Sequence, residues 1–382
     1  MDVLLVFGTR PEAIKMAPVY RALREGPLRP IVAVTAQHRE MLDQVLELFQ
    51  IPVAYDLNIM REGQSLTQVT GLVLGGLAQV LEEVRPRLVL VHGDTTTTFA
   101  ASLAAFYQQI PVGHVEAGLR SHDPYNPYPE EMNRRLTGSL AALHFCPTPL
   151  ARENLCRESV APDRIYVTGN TVIDALLSIV EEDYQFQDPT LRSLDFAGRR
   201  VLVATAHRRE NWGGPLRDIM LALKDLADRF PDVEVVFPVH RNPQVREPAQ
   251  AILGGAPRVH LIPPLPYGEF ANLLARCHLV LTDSGGLQEE APALGKPVLV
   301  LREKTERPEG VAAGTVRLAG TRRETVLQEA ERLLVDSEEY GRMARAVNPY
   351  GDGMAAARIH QALLHYFGLG ERPLDFRPGE EG

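Results

Sequence analysis

Val3-Leu4-Leu5-Val6-Phe7-Gly8-Thr9-Arg10-Pro11-Glu12-Ala13-Ile14-Lys15 holds the fold in miniature. Five apolar residues run without alternation, as a parallel strand covered by helices on both faces must. Gly8 ends the run. Pro11 suits the first turn of a helix, where its missing N–H would have no intrahelical partner. Strand, tight turn and helix together open a βα unit.

The same phrase recurs along the chain. Ile31–Thr35, Leu88–His92, Val112–Val115 and Leu143–Cys146 read as further buried strands. Between them the periodicity predicts helices over Pro11–Arg24, His38–Phe49, Ser65–Val84 and Thr95–Tyr107, with another over Glu130–Ala142. After residue 200 the pattern starts again. Strands are expected at Val201–Thr205, Val233–Val239, Val259–Ile262, Leu279–Thr282 and Val298–Leu301. Helices are expected at Pro215–Arg229, Pro243–Leu253, Tyr267–Arg276, Leu287–Ala293 and Glu324–Val335. Alternation of this kind gives parallel sheets with right-handed crossovers. The fold class is therefore α/β, with two Rossmann-like doubly wound domains facing a central cleft. A ligand is expected at the C-terminal ends of the strands. The domains are expected at 1–168 and 169–353. The break Asn348–Gly353 sets off a last helix, 354–370, whose apolar stripe should return to the first domain. The polar stretch Tyr184–Arg192 reads as a connector near the start of the second half, and the tail 371–382, from about Arg372, as frayed.

The whole chain is 382 residues with a net charge of −9. That balance argues against a duplex nucleic-acid binder, which needs a basic face. Three cysteines, none in a C-x-x-C pair, make no disulfide framework. The histidines show no H-E-x-x-H and no zinc spacing, so no metal site is expected. No apolar run approaches a membrane span. Met1-Asp2 leads straight into a strand-length apolar run, with no basic leader region, and a cytoplasmic protein is the default.

Six loops carry chemistry. Gly8–Lys15 places Arg10 and Lys15 at a helix start, a ready anion site, although it is neither a dinucleotide fingerprint nor a Walker loop. His92-Gly93-Asp94-Thr95-Thr96-Thr97-Thr98 puts an acid at a strand end; Asp94 or Thr95 could simply cap the next helix, but a cap needs neither the preceding His-Gly nor four threonines. Glu116 ends another strand, and a proline-rich loop follows it to Glu130 and Glu131. Favourable charge at a helix N-terminus explains one of those two acids. Thr205–Trp212 offers His207 at the point equivalent to Gly8–Lys15. In the stretch that opens at Asp283, the turn Ser284-Gly285-Gly286 lets backbone N–H groups approach a diphosphate, and Glu290, about a helical turn further in, suits paired sugar hydroxyls. Glu303–Gly310 brings Arg307. Acids in one half and a diphosphate cradle in the other indicate a nucleotide-sugar enzyme, and spacing alone does not separate a transferase from an isomerase.

F-G-T-R-P-E-A-I-K at 7–15, G-D-T-T-T-T at 93–98, H-V-E-A-G-L-R at 114–120, P-E-E-M-N-R at 129–134, A-H-R-R-E-N at 206–211, D-S-G-G-x-Q-E-E at 283–290 and T-E-R-P-E at 305–309 resemble, in order, the motifs of the bacterial non-hydrolysing UDP-N-acetylglucosamine 2-epimerases. The resemblance runs from residue 3 to about residue 366. It implies a glycosyltransferase-B-type fold, a homodimer, and interconversion of UDP-GlcNAc and UDP-ManNAc without metal or NAD, feeding cell-surface polysaccharide synthesis. It assigns UDP contacts to Arg10, Ser284, Gly285, Gly286, Glu290 and Arg307, with Phe270 at the uracil. Lys15, Asp94, Glu116, Glu130 and His207 fall at the sugar, with Asp94, Glu116, Glu130 and His207 as the catalytic set. Gln37, Glu130, Arg208 and His240 match a second site, where UDP-GlcNAc would act as activator. The chain departs from the pattern at Leu265 and Gly63. A UDP-sugar glycosyltransferase of the same fold, a nucleotide-sugar sensor and a hydrolysing epimerase releasing free ManNAc are the alternatives.

Overall fold

The computed structural model describes residues 1–35, 39–61 and 63–380. The chain divides into two compact units, Met1–Leu177 with the chain from Tyr350 onward, and Ser178–Pro349.

The first unit is built on β1 (Asp2–Phe7), β2 (Arg29–Val34), β3 (Tyr55–Asp56), β4 (Leu88–His92), β5 (Val112–Val115), β6 (Leu143–Cys146) and β7 (Ile165–Val167). They form one parallel sheet in the order β3-β2-β1-β4-β5-β6-β7. Leu4 and Val6 of β1, with Val89 and Val91 of β4, meet Val73 and Leu77 of the helix Leu66–Val84 and Ala100 and Ala104 of the helix Thr96–Tyr107. Leu5 and Leu90, facing the other way, are equally buried. Helices cover both faces, which is why the strands read as unbroken apolar runs.

The second unit repeats the plan with β8 (Arg200–Thr205), β9 (Val233–Pro238), β10 (Val259–Ile262), β11 (Leu279–Thr282), β12 (Val298–Val300) and β13 (Val316–Leu318). Their order is β10-β9-β8-β11-β12-β13, again parallel. Alternate residues of β8 serve opposite cores. Leu202 and Ala204 meet Leu216 and Leu223 of the helix Gly214–Arg229, while Val201 and Val203 meet Leu273 and Ala291. In each sheet the strand order reverses beside the first strand, between β1 and β4 and between β8 and β11. Crevices at such reversals are where doubly wound sheets bind ligands.

The last helix, Ala355–Tyr366, belongs to the first unit, where it packs on the helices Arg10–Arg24 and Thr171–Leu177. Asp174 caps it, accepting from the N–H groups of Ala355 (3.2 Å) and Ala356 (2.8 Å). Burial pushes the Asp174 carboxyl up to about 6. As far as Phe376 the tail is held, where fraying was expected. The Phe376 N–H donates to Val167 O (2.7 Å), the Asp375 carboxylate takes the Val167 N–H (3.0 Å) and pairs with Arg152 (2.7 Å), and Arg372 donates to Asp163 O and Ile165 O. The tail thus satisfies backbone groups at β7, the outer strand of the sheet, and buries Phe376. The Tyr184–Arg192 stretch is likewise tied down. Phe186 is buried, and the N–H groups of Gln187 and Asp188 donate to Glu269. No helix among the described residues is long and apolar enough to cross a membrane.

Candidate active site

In the first unit the chemistry gathers where β1, β4 and β5 end. Glu116 follows β5 directly and has φ 61°, a left-handed conformation uncommon for residues other than glycine. Hydrogen bonds on either side impose it. Gly93 N–H donates to Val115 O (2.9 Å) and Ala117 N–H to Phe145 O (3.0 Å). Two residues on, Gly118 has φ 89°, and a β-carbon there would lie 2.2 Å from Ala151 O. Only glycine fits that approach.

The Glu116 carboxylate is met from three elements. Lys15, from the helix Arg10–Arg24, forms an ion pair with it. Asn170, just beyond β7, donates from Nδ2 at 2.9 Å. His92, the last residue of β4, brings Nε2 to 3.5 Å. Burial drives the His92 imidazole down to about 4, with Glu116 opposing the shift, so it faces the carboxylate as a neutral ring.

Asp94 sits one glycine beyond His92. It does not cap the following helix; Thr95 does, accepting from the Thr98 N–H (3.2 Å). The Asp94 carboxylate is left to pair with Arg134 (2.6 Å), and its carbonyl takes the Asn133 side chain (2.9 Å). The two acids of the proline-rich loop separate clearly. Glu131 is fully buried and accepts the N–H groups of Ser121 (2.9 Å) and His122 (3.2 Å) besides pairing with Arg134 and Arg135. It anchors the loop. Glu130 opens the helix Glu130–Leu140 half-buried, and its carboxylate makes no hydrogen bond among the described residues. Arg10 is the first residue of its helix and is half-buried.

In the second unit the organising group is Asp283, fully buried beyond β11. Its carboxylate accepts from the N–H groups of His207 and Arg208 (2.8 Å each) and from Asn211 Nδ2 (3.0 Å), and it lies 3.3 Å from His207 Nδ1. The buried carboxylate thus holds the backbone on either side of the His207 ring and places a negative charge beside Nδ1. Burial lowers the His207 imidazole below its ordinary value, and Asp283 offsets this only in part. His240 stacks on His207, ring centroids 5.6 Å apart.

Ser284, Gly285 and Gly286 lead from Asp283 into the helix Leu287–Ala293. A β-carbon on Gly285 would stand 3.6 Å from Arg208 Nη2 and 4.0 Å from Arg307 Nη2, so the bare turn faces two guanidinium groups. Arg208 is held by Asp283 O (3.0 Å) and Glu306 (3.1 Å), and Arg307 by the buried Glu289. Glu290 is buried and accepts from the Tyr267 hydroxyl (3.0 Å). Phe270 and Leu265 lie half-buried at the edge of the core. Gln37 lies outside the described residues.

The first unit therefore offers carboxylates for acid–base work, and the second an imidazole beside a buried carboxylate, with two arginines at a glycine turn suited to a diphosphate. Asp283, His92, Asn170 and Arg134 complete these groupings, and sequence reading did not single them out. Asp283 and His92 carried the same strand-end signal as the residues that were chosen.

Comparison with known proteins follows the same lines. A family model described as UDP-N-acetylglucosamine 2-epimerase matches residues 21–364. The UDP-N-acetylglucosamine 2-epimerase of Escherichia coli K12 is 55% identical over 377 residues, covering 95% of this chain and 98% of that protein. Among solved structures, UDP-GlcNAc 2-epimerase from Neisseria meningitidis bound to UDP-GlcNAc is 51% identical with a TM-score of 0.85, covering 96% of this chain and 100% of that one. S. aureus MnaA with UDP is 48% identical with a TM-score of 0.89, covering 98% and 100%.

Proposed function

The chain belongs to the UDP-N-acetylglucosamine 2-epimerase family and is an isomerase, and from that premise we propose how its residues divide the interconversion of UDP-GlcNAc and UDP-ManNAc. The C2 proton of the sugar sits beside no carbonyl, so its simple removal would leave an unstabilised carbanion. Elimination avoids this. A base takes the C2 proton while the C1–O bond breaks, its electron pair leaving with UDP and a C1–C2 double bond remaining. A proton then returns to C2 on the other face, and a UDP oxygen re-forms the bond to C1.

The step needs a base, an acid and cations on the departing diphosphate. Glu116 carries the reading. It is a carboxylate at a strand end, held in a left-handed backbone and gripped by Lys15 and Asn170. Asp94 and Glu130 supply the other carboxylates, and His207 assists. Arg10 and Arg307 hold the diphosphate with Ser284, Gly285 and Gly286; Glu290 takes the ribose and Phe270 the uracil. Epimerisation in heavy water should place deuterium at C2, and an oxygen label in the C1–O–P bridge should scramble to non-bridging positions. Deuterium uptake without scrambling would mean that UDP never departs, and would sink the elimination.

Two further properties belong to this reading. The helix Thr96–Tyr107 has no charged residue and leaves Phe106 and Tyr107 exposed; its neighbours expose Leu66 and Leu72 on one side and Met132 and Leu136 on the other. An apolar surface of this kind favours a homodimer. Arg208 and His240, with Glu130 and Gln37, are taken to serve a second UDP-GlcNAc as activator. One preparation tests both: sedimentation should give twice the chain mass, and rate should rise sigmoidally with UDP-GlcNAc. A monomer rejects the first, and hyperbolic kinetics the second.

A further inference from the structure

The four threonines after Asp94 are more than a helix start needs, and the reaction as derived uses none of them. The partners of three of them, Thr95, Thr97 and Thr98, give the run a purpose. Thr97 Oγ1 lies 2.9 Å from Thr35 Oγ1, at the end of β2. Gly8 is pressed against that pair; a β-carbon there would sit 2.1 Å from Thr35 Oγ1 and 3.0 Å from Thr97 Oγ1. Thr98 Oγ1 lies 2.5 Å from His92 O. Thr95 Oγ1 lies 2.8 Å from Glu12 Oε1. The run thus stitches the ends of β1, β2 and β4 together.

Glu12 is the centre of this network and is only 3% exposed. Its Oε2 accepts from the N–H groups of Gly8 (3.0 Å) and Thr9 (2.8 Å), closing a capping box with Thr9. In an ordinary capping box the other oxygen is left to water. Here it turns inward, to Thr95 at 2.8 Å and Thr98 at 3.2 Å. A hydroxyl donates a single proton. Thr98 spends its proton on the nearer His92 carbonyl, so the link between the two loops rests chiefly on Thr95. Thr95 Oγ1 accepts the Thr98 N–H at the same time. Burial pushes the Glu12 carboxyl up, against the pull of these donors.

We propose that Glu12, acting through Thr95, is a positioning residue for the reaction: it fixes Asp94, the neighbour of Thr95, against the helix that carries Lys15 and, through Lys15, against Glu116. The inference rests on the reading of Asp94 and Glu116 as acid–base residues. Lys15 lies one helical turn beyond Glu12, so a loosened tie lets the two carboxylates drift relative to one another. Reacting groups displaced by about 1 Å lose up to about 10²-fold in rate.

The test compares Glu12→Gln, Thr95→Val and Thr95→Ser, with rates normalised to the fraction that binds UDP. Glu12→Gln and Thr95→Val should lose about 10–100-fold in kcat with little change in KM or UDP affinity, and the C2–deuterium isotope effect on kcat should rise as the proton step becomes limiting. Thr95→Ser, which keeps the hydroxyl, should recover most of the rate. Should Glu12→Gln fail to fold, Thr95→Val and Thr95→Ser decide. A Thr95→Val enzyme that melts earlier yet turns over normally, with an unchanged isotope effect, overturns the proposal and leaves the network a purely structural role. Failure of the acid–base reading itself would look different: Asp94→Asn and Glu116→Gln would then turn over normally.

Discussion

Replacing Glu116 by Gln should lower turnover by about 10²–10⁴-fold, the usual contribution of a positioned acid or base, while leaving the affinity for UDP nearly unchanged. The substitution keeps the volume and one acceptor oxygen, so the Asn170 bond can survive. It removes the charge that Lys15 answers and the capacity to take a proton. Asp94→Asn should behave in the same way, since Asp94 faces Arg134 as Glu116 faces Lys15. Arg307→Ala should do the reverse. Arg307 stands by the glycine turn of the second unit, and its loss should weaken UDP by the ~1.5–3 kcal/mol of a charge-assisted contact. Calorimetry with UDP alongside steady-state rates separates the two patterns. A Glu116→Gln variant that loses UDP affinity in step with its rate moves Glu116 from the chemistry to the binding set. One that turns over normally removes it from both.

The sequence made the fold readable because each buried strand is apolar on both faces. Leu88–His92, Val112–Val115 and Leu143–Cys146 are strands at those limits, and Pro243–Leu253, Tyr267–Arg276 and Leu287–Ala293 are helices at theirs. The strands that escaped notice are Tyr55–Asp56, Ile165–Val167 and Val316–Leu318. Each is two or three residues long, too short for any period to register, and each lies at the outer limit of its sheet. At the site, strand ends were legible because parallel topology sends every βα loop to one edge. Partners were not, because they come from elsewhere in the chain. Asn170 reaches Glu116 across 54 positions, Arg134 reaches Asp94 across 40, and Asp283 reaches the His207 N–H across 76. No local pattern records such pairs. The distinction between Glu130 and Glu131 was hidden for a related reason. Both acids suit a helix N-terminus, and only packing reveals which carboxylate turns inward to hold the loop.

Acid should destabilise the first unit steeply, and the cause lies in three histidines on adjacent strands. His92, His114 and His144 end or occupy β4, β5 and β6, and His114 and His144 are register partners. All three are buried, and burial drives their imidazoles down to about 4, about 3 and about 4. His114 donates from Nε2 to Gly93 O (2.7 Å), so protonation would put a second N–H on Nδ1, which has no acceptor; Nδ1 of His144 and of His92 is in the same position. The folded values lie below the ordinary 6.5, so the unfolded chain binds protons first as pH falls. Stability present above pH 6.5 is therefore lost on the way down to the folded values, by roughly 3–5 kcal/mol per ring if fully expressed. Domains of this kind hold only about 5–15 kcal/mol in total. Two buried acids work in the opposite direction. Asp174, raised to about 6, and Glu12, also raised, take up protons in the folded state before the unfolded one. Their contribution is complete below the ordinary carboxylate range and is lost as pH rises through the folded values. The loss should therefore begin below pH 6.5 and be blunted where the two raised acids take up protons, from about pH 6 for Asp174. Urea midpoints of the first unit, followed by hydrogen exchange from pH 7.5 to 4.5, give the profile. His114→Gln, whose side-chain amide stands nearest to where ring Nε2 meets Gly93 O, should flatten its descent, and Asp174→Asn should steepen it below pH 6. A midpoint that stays level from pH 7 to pH 5 in the unaltered protein would show that the three rings are protonated, or hydrated, in the native state after all.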